Sequence, residues 1–258
     1  MLSDHALRRA LERAGLRAPV RFEEVTPSTQ ATALAMAADG APEWTLLGAG
    51  HQTHGRGRLG RTWVDEPGAA LLFSVVLRPR FEPRHAGLLV LLAGWALAET
   101  LGEASGAAVR CKWPNDVVLD DRKVGGIIAE SRASGPEERF EVVVLGVGVN
   151  VGSAPELVER AAALRIADAG DLLGDFLVRF RSLYEPDLPA RAEELVAAYR
   201  QRCATLGRRV RATTTDSVLV EGIAVDVDVE GTLVIETAGE RSRVRFGEVE
   251  HLELQGLE

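Results

Sequence analysis

Cysteine is scarce in this sequence, which has only Cys111 and Cys203 among its 258 residues. Two cysteines cannot build the disulfide framework of a small secreted protein, and neither has the spacing of a metal-ligand motif. We therefore expect both to be buried small apolar residues of a protein that works in a reducing cytoplasm.

Long hydrophobic segments are also missing. The first twenty residues include Asp4 and Glu12 and contain no apolar run of the kind found in a secretory signal. The longest apolar stretch, AGLLVLLAGWALA at 86–98, is too short to span a bilayer. It predicts a buried core helix, and we expect no interaction with a membrane.

Positive charge is not in excess, since the net charge is −8 and the sequence pI is about 5.3. A protein that binds nucleic acids generically is normally basic, so any anion-binding site in this chain must be local. With 46% apolar residues, the chain can form a sizeable core.

The chain does contain a clear succession of strand and helix patterns. An alanine-rich helix ending at Gly40 follows a TPST segment whose hydroxyl groups can cap it. After Gly207 the residues alternate between apolar and polar, and Val225, Val227 and Val229 are separated by acidic residues, as in a half-buried antiparallel strand. We predict strands at 20–25, 44–50 and 71–79, a helix at 84–102, a β-rich stretch at 109–151, helical structure at 155–205, and a small β-barrel domain at 206–258.

The loop HGRGRLGRTW at 54–63 contains a G-x-G-x-x-G string, but no helical pattern follows it, so it is not a dinucleotide-binding turn. Its glycines allow the backbone to fold over a ligand, and Arg56, Arg58 and Arg61 supply fork-shaped donors for phosphate or carboxylate. Trp63 offers a flat surface for stacking. A solvated basic loop and a core tryptophan are the alternatives.

Two further stretches suggest a site. In CKWPNDVVLDDRKVGGI, Lys112 and Lys123 flank Asp116 on what the pattern predicts to be two strands of one hairpin, an arrangement suited to an acyl-phosphate reaction. In LGVGVNV, Gly146 and Gly148 would let a ligand or a helix approach the strand closely. The alternatives are a surface ion pair and tight packing. His51 and His54 lack a third ligand, so we predict no metal site.

Taken together, the motifs GRGRLGRTW, KWPND, KVGGI and GVGVN, with TPSTQ before the first helix, resemble those of the biotin protein ligases, over about residues 20–200. The resemblance implies an α+β fold of the class II synthetase-like type, a mixed, mostly antiparallel sheet packed by helices. It also implies a catalytic biotin- and ATP-binding domain at 1–205 and a C-terminal barrel at 206–258.

The implied reaction joins biotin to AMP, using ATP with Mg²⁺, and then transfers biotin to a lysine of a biotin carboxyl carrier protein domain of a carboxylase. The glycine-rich loop is expected to act as a lid. The implied catalytic residues are Arg58, Lys123, Lys112 and Asp116. The implied biotin-binding residues are Ser28, Thr29, Gln52, Gly55, Arg56, Arg58, Lys123, Gly125, Gly126 and Gly148, and the ATP-binding residues are Arg58, Arg61, Trp63, Asn115, Lys123 and Asn150.

The sequence departs from the family pattern at three places. Leu59 stands where many relatives have another arginine or a polar residue, Gln30 replaces the commoner asparagine, and no tryptophan occurs in 155–170. Only 19 residues precede the first predicted strand, so we expect a ligase without the DNA-binding repressor domain and without a nucleic-acid partner. The family resemblance leaves monomer and homodimer open.

Two other functions remain as alternatives. A lipoate or octanoate ligase of the same superfamily would have a similar main domain and a lysine at the reaction centre. A non-enzymatic nucleic-acid-binding module could use the arginine loop, although the net charge of −8 disfavours it.

Overall fold

The computed structural model describes residues 2–134, 139–185, 187–214, 217–245 and 247–252. The helices are α1 (Asp4–Arg13), α2 (Thr29–Ala38), α3 (Ala86–Ser105), α4 (Ala169–Tyr184) and α5 (Ala192–Arg202). The strands are β1 (Val20–Thr26), β2 (Leu46–Gln52), β3 (Gly55–Arg56), β4 (Thr62–Trp63), β5 (Ala70–Leu77), β6 (Arg110–Lys112), β7 (Asp116–Leu119), β8 (Arg122–Ser134), β9 (Arg139–Asn150), β10 (Arg209–Thr214), β11 (Leu219–Val227), β12 (Leu233–Thr237), β13 (Glu240–Val244) and β14 (Gly247–His251).

A seven-stranded sheet in the order β1-β2-β5-β9-β8-β7-β6 forms the centre of the larger unit. β1 and β2 are parallel, and every other pairing in this sheet is antiparallel. The predicted mixed, mostly antiparallel sheet is therefore confirmed.

Helices cover both faces of this sheet, but unequally. On one face α3 packs on β6, β7 and β8 and is itself contacted by α4 and α5, while α1 packs on α4 and β1. On the other face α2 is the one helix among the described residues, and its Ala33 and Ala37 pack on Leu47, Val76 and Val144. Beyond the end of α2, this second face carries no helix among the described elements and is open to a ligand.

The helix α3 contains the long apolar run that the sequence singled out. The run at 86–98 was expected to be too short for a bilayer, but with its flanks the helical segment Pro83–Ser105 is long and apolar enough to cross a membrane by length and composition alone. Most of this segment is nevertheless buried inside the protein. Leu88, Leu92 and Leu97 are completely buried in the main core. The expected core helix is thus confirmed.

The C-terminal residues form a five-stranded antiparallel sheet in the order β13-β12-β11-β10-β14. The predicted alternation of Val225, Val227 and Val229 is wrong in detail, because a β-bulge between Ala224 and Asp226 changes the register. Val227 is buried, whereas Val225 and Val229 are exposed. The C-terminal domain predicted as a small β-barrel is thus an antiparallel sheet. In the described part of the chain its edge strands β13 and β14 are not paired with each other.

Two local predictions need correction. Residues 155–168 were expected to be helical, but they form no helix, because their backbone groups bond the larger sheet: Leu164 N–H donates to the Asn150 carbonyl at 3.0 Å. The helix α1 was not predicted, and its Leu7 lies within 3.1 Å of where a Cβ on Gly48 would stand. The close approach of this helix explains the glycine at position 48 of β2.

Candidate functional site

A cavity with a volume of about 520 Å³ lies on the open face of the seven-stranded sheet. This volume is in the range of ligand-binding pockets, roughly 300–1,000 Å³. The cavity begins at the N-terminus of α2, passes the small hairpin of β3 and β4, and ends between β6–β8 and the C-terminal sheet.

The closed end of the cavity is polar and buried. The backbone N–H and the hydroxyl of Thr29 lie 2.8 and 3.1 Å from Gln52 Oε1, and both donate to it. Since that oxygen already has two donors, the Gln52 amide nitrogen is oriented to donate into the cavity. Gln30 has the opposite orientation, because its Nε2 donates to the Val144 carbonyl at 3.0 Å and its Oε1 lies beside Gly146. A donor and an acceptor therefore meet at this end.

Glycines form the floor of the cavity. Gly126 and Gly148 are paired across β8 and β9 on the face that α2 leaves open. Trp63 lies directly over them, and a Cβ on Gly148 would stand 2.7 Å from its Cε2 atom. The indole nitrogen of Trp63 is buried and has no hydrogen-bond partner in the described part of the protein. The ring thus packs directly on the glycines and forms an apolar wall of the cavity next to the polar end.

Lys123 lies beside Trp63, with its Nζ 5.8 Å from the ring centroid, because of a bulge in β8. Strand register shifts between Val117 and Val118, so that the consecutive residues Val124 and Gly125 both face the core. Lys123 is turned into the cavity instead, where its Nζ lies 2.6 Å from Asp116 Oδ1. This ion pair is partly exposed to solvent within the cavity.

The backbone of Lys123 is held from the adjoining chain segment. Its N–H donates to the Arg160 carbonyl at 2.7 Å, and its carbonyl accepts from the Ala162 N–H at 2.8 Å. The segment that was expected to be helical therefore fixes the position of this lysine.

Lys112 and Lys123 are the only lysines in the chain, and both line this cavity. Lys112 is the strand partner of Asp116. Burial lowers the pKa of Lys112, and the charge of Asp116 partly opposes that shift. On the neighbouring β14, burial and then the charge of Lys112 lower the pKa of His251 to about 4, so His251 is neutral near pH 7.

The hairpin arginines connect the cavity to the C-terminal sheet. Arg58 Nη1 donates to Asn115 Oδ1 at 2.8 Å, and its Nη2 donates to the Gly247 carbonyl at 3.2 Å. Burial lowers the pKa of Arg58, but a guanidinium remains charged near neutral pH. Arg61 pairs with Glu248 at 2.5 Å. The end of the cavity opposite Gln52 is therefore bordered by the hairpin and by the C-terminal sheet.

The tip of the hairpin differs from its arms. Leu59 has a φ of 53°, in the left-handed region, and its side chain is 59% exposed. Arg56 lies on an arm of the hairpin and pairs with Glu130 at 2.9 Å. We find no contact that explains a leucine at position 59.

Most of the residues singled out from the sequence line this cavity. Lys112 and Lys123 lie on β6 and β8, the outer strands of a three-stranded meander, and not on one hairpin as predicted. The predicted residues in the lining are Thr29, Gln52, Arg56, Arg58, Arg61, Trp63, Lys112, Asn115, Asp116, Lys123, Gly126 and Gly148.

Four predicted residues do not line the cavity. Gly125 faces α3, since a Cβ there would lie 3.4 Å from Leu97. Asn150 is buried and donates to the Ala162 carbonyl at 3.0 Å. Ser28 caps α2, and Gly55 pairs with Trp63 in the hairpin. These four residues support the walls without reaching the open space.

Sequence reasoning missed two groups of lining residues. Gln30 had one signal, a polar residue inside an alanine-rich helix, whereas Gly146 was weighed for a ligand and for packing but was not assigned to the site. The second group comes from the C-terminal sheet, where nothing in the local pattern indicates a ligand site. Its members are Arg211, Thr213, Glu248, Val249 and Glu250.

The two histidines considered as a metal pair make separate contacts. His51 Nδ1 lies 2.8 Å from Asp65 Oδ2, and His54 Nδ1 lies 3.0 Å from the hydroxyl of Thr53. His51 therefore belongs to a hydrogen-bonded pair beside the cavity, and His54 is a surface residue.

Comparisons of the sequence with known proteins match both parts of the chain that border the cavity. Residues 22–150 match the biotin/lipoate A/B protein ligase family, and residues 205–252 match the biotin protein ligase C-terminal domain. The biotin–[acetyl-CoA-carboxylase] ligase of Mycobacterium tuberculosis is 38% identical over 239 residues, covering 88% of this chain and 86% of the relative. The bifunctional ligase/repressor BirA of Bacillus subtilis is 31% identical, covering 92% and 75% of the two chains.

A solved structure has the same fold. The biotin protein ligase from Aquifex aeolicus, in complex with biotin and ATP, matches with a TM-score of 0.72 and 25% sequence identity. The match covers 90% of this chain and 97% of the other.

Proposed function

The chain belongs to the biotin/lipoate A/B protein ligase family, and on this basis we propose that it is an ATP-dependent biotin protein ligase. In this proposal it activates biotin as biotinyl-5′-AMP and transfers the biotinyl group to one lysine of a biotin carboxyl carrier protein domain. The carrier belongs to a biotin-dependent carboxylase, a class suggested by the name of the Mycobacterium relative.

The polar closed end of the cavity is the observation that carries the choice of biotin. The ureido ring of biotin has one carbonyl acceptor and two N–H donors, which complement the Gln52 amide nitrogen and the Gln30 amide oxygen. The dithiolane ring of lipoate has no such groups. It would leave the Gln52 amide nitrogen without a partner, and the Gln30 amide oxygen would keep only the hydroxyl of Ser74, 3.2 Å away. An unpaired buried polar group costs about 1–3 kcal/mol, so the polar end favours biotin.

The first chemical step brings two anions together. One carboxylate oxygen of biotin attacks the α-phosphorus of ATP, a P–O bond forms, and the bond to pyrophosphate breaks with its electron pair leaving on pyrophosphate. Lys123 and Arg58 lie where they can neutralise the carboxylate and the α-phosphate, with Lys112, Arg56 and Arg61 around them. Positioned cations that stabilise developing charge are the expected source of the rate increase.

The second step needs a neutral amine. The carrier lysine attacks the acyl carbon of the adenylate, the amide forms, and AMP leaves with the electrons of the acyl–oxygen bond. A free lysine has a pKa of about 10.4, so it arrives mostly protonated. Asp116, whose carboxylate faces the cavity beside Lys123, is our candidate to orient this amine and take its proton.

We expect Mg²⁺ to enter with ATP. The described residues contain no group of three histidine, cysteine, aspartate or glutamate side chains that could hold a metal ion. Asp116 is already paired with Lys123. Phosphate oxygens would therefore supply most of the ligands, as is usual for Mg²⁺ at nucleotide sites.

The remaining parts of the proposal concern the cell. Cys111 and Cys203 are free, buried thiols, which supports a cytoplasmic location. We propose no repressor activity of the kind named for the Bacillus relative. The described residues before β1 form one helix, α1, which packs on α4, and they contain no helix-turn-helix.

The test of this function is ATP–pyrophosphate exchange with biotin and lipoate added separately. A site built to hydrogen-bond one substrate rejects an analogue lacking those groups by about 10⁴-fold, so we expect exchange with biotin and almost none with lipoate. Exchange with lipoate alone would overturn the assignment. A salt-sensitive shift of random DNA, without exchange, would favour the nucleic-acid-binding alternative.

Replacing Arg58 by alanine should shorten the retention of the adenylate by about 10- to 100-fold. The hydrogen bonds from Arg58 to Asn115 and Gly247 would be lost, and a hydrogen bond to a charged group contributes about 1.5–3 kcal/mol. The measurement is the release of biotinyl-AMP, captured by an added lysine-rich protein. The enzyme itself competes little for the released adenylate, because both of its lysines lie inside the cavity.

The matched control is Leu59→Ala in the same hairpin, where the exposed side chain should leave retention unchanged. The role of Arg58 would be refuted if both variants released the adenylate at the same rate as the unchanged protein.

A further inference from the structure

One buried carboxylate beside the cavity has no part in the chemistry described above. The side chain of Asp65 is completely buried, and its Oδ2 lies 2.8 Å from Nδ1 of His51. Its carboxylate also accepts the backbone N–H of Gln52 at 3.3 Å. A buried carboxylate is stable only when it is paired or hydrogen-bonded, so these contacts belong together.

This pair closes the base of the arginine-bearing hairpin. His51 and Gln52 are the last residues of β2, just before the hairpin begins at Gly55. Asp65 follows two residues after Trp63, where the hairpin ends. The contact therefore joins the two chain segments that enter and leave the hairpin.

Two residues next to this pair, Gln52 and Trp63, line the part of the cavity that we expect to hold the ring of the substrate. Gln52 presents its amide nitrogen there, as its Oε1 is held by Thr29, and Trp63 covers the glycine floor. Fixing the Gln52 backbone fixes the origin of its side chain, and fixing the hairpin base fixes the plane of the indole ring.

We propose that His51 and Asp65 are positioning residues that set the affinity of the site for the ring of its substrate. This inference rests on the proposed function, since the ring is that of biotin. The pair lies outside the cation cluster that faces the phosphates, so its loss should change binding of the acid substrate and leave the nucleotide site intact.

The experiment measures exchange kinetics for Asp65→Asn, His51→Ala and His51→Asn. For Asp65→Asn and His51→Ala, we expect the KM for biotin to rise about tenfold or more, with kcat and the KM for ATP changed by less than about threefold. His51→Asn keeps an N–H donor near Asp65 and should recover most of the affinity. The matched control is His54→Ala, which removes an exposed histidine three residues away and should leave every constant unchanged.

Other outcomes would overturn the proposal. An unchanged KM for biotin in both Asp65→Asn and His51→Ala would show that the pair does not position the ring. Equal losses in kcat and in both KM values, with no rescue by asparagine, would show a purely structural role. If Asp65→Asn fails to fold, His51→Ala decides the matter, because His51 is about one quarter exposed.

A second readout separates this inference from the proposed function. Trypsin cleaves after Arg56, Arg58 and Arg61, all of which lie in the hairpin. Loosening the base should increase that cleavage in Asp65→Asn over His54→Ala, whether or not biotin is the substrate. Faster cleavage of Asp65→Asn, with no biotin-dependent exchange by the unchanged protein, would support the role of His51 and Asp65 in fixing the hairpin base and would refute the proposed function. Equal cleavage of Asp65→Asn and His54→Ala would refute that role.

Discussion

Replacing Lys123 by alanine is expected to lower biotin-dependent ATP–pyrophosphate exchange by about 10³-fold. Removing one preorganised donor that stabilises developing charge costs about 10²–10³ in rate. In this site the loss also leaves Asp116, now without its partner at 2.6 Å, in the space that two substrate anions must enter. The rate of exchange at saturating biotin and ATP is the measurement.

The double variant Lys123→Ala/Asp116→Asn separates these two effects. If the missing cation is the cause, exchange stays low when the unpaired carboxylate is also removed. The matched single control is Arg122→Ala, whose exposed neighbouring cation bonds the Ala161 carbonyl and does not line the cavity. Near-normal exchange by Lys123→Ala would remove this lysine from the mechanism.

Replacing Gly148 by alanine should weaken biotin binding by about 10²-fold. The added Cβ would stand 2.7 Å from Trp63 Cε2 and 2.8 Å from its Cζ2, so the indole ring must move into the cavity. Overpacking of this kind costs about 1–3 kcal/mol, and each 1.4 kcal/mol is tenfold in affinity. Titration calorimetry with biotin measures the change directly.

Gly152→Ala is the matched control, since it lies just after the same strand and its Cβ would meet only ordinary contacts at 3.4 Å or more from Ala69. Thermal unfolding of both variants shows whether either loses the fold. Biotin binding by Gly148→Ala at the affinity of the unchanged protein would show that the position of Trp63 over Gly148 does not shape the biotin site.

Much of the fold follows from local pattern. The strands predicted at 20–25 and 71–79 and the helix predicted at 84–102 correspond to β1, β5 and α3, because side-chain periodicity depends only on backbone geometry. The same reasoning failed at 155–168. This segment has an apparent helical pattern, but its backbone forms hydrogen bonds with Lys123 and Asn150 instead of within a helix. Bonding to distant strands overrides a weak local preference.

The sequence by itself determined the kinds of chemistry available. It placed arginines and lysines within three motifs, and it contains glycines where the fold needs a bare strand, as at Gly148 beneath Trp63. Their order along the chain was enough to identify the family, because motif residues and their spacing are local properties of a sequence.

Only the tertiary structure decided which of these residues meet. A bulge in β8 turns Lys123 into the cavity and Gly125 toward the core. No pattern in the sequence predicted this bulge. Arg58 bonds Gly247, 189 residues away, so the end of the site opposite Gln52 is bordered by a sheet that sequence reasoning treated as separate. Contacts at such separation depend on how whole elements pack, and packing is set by the summed burial of many side chains and not by any short stretch of sequence.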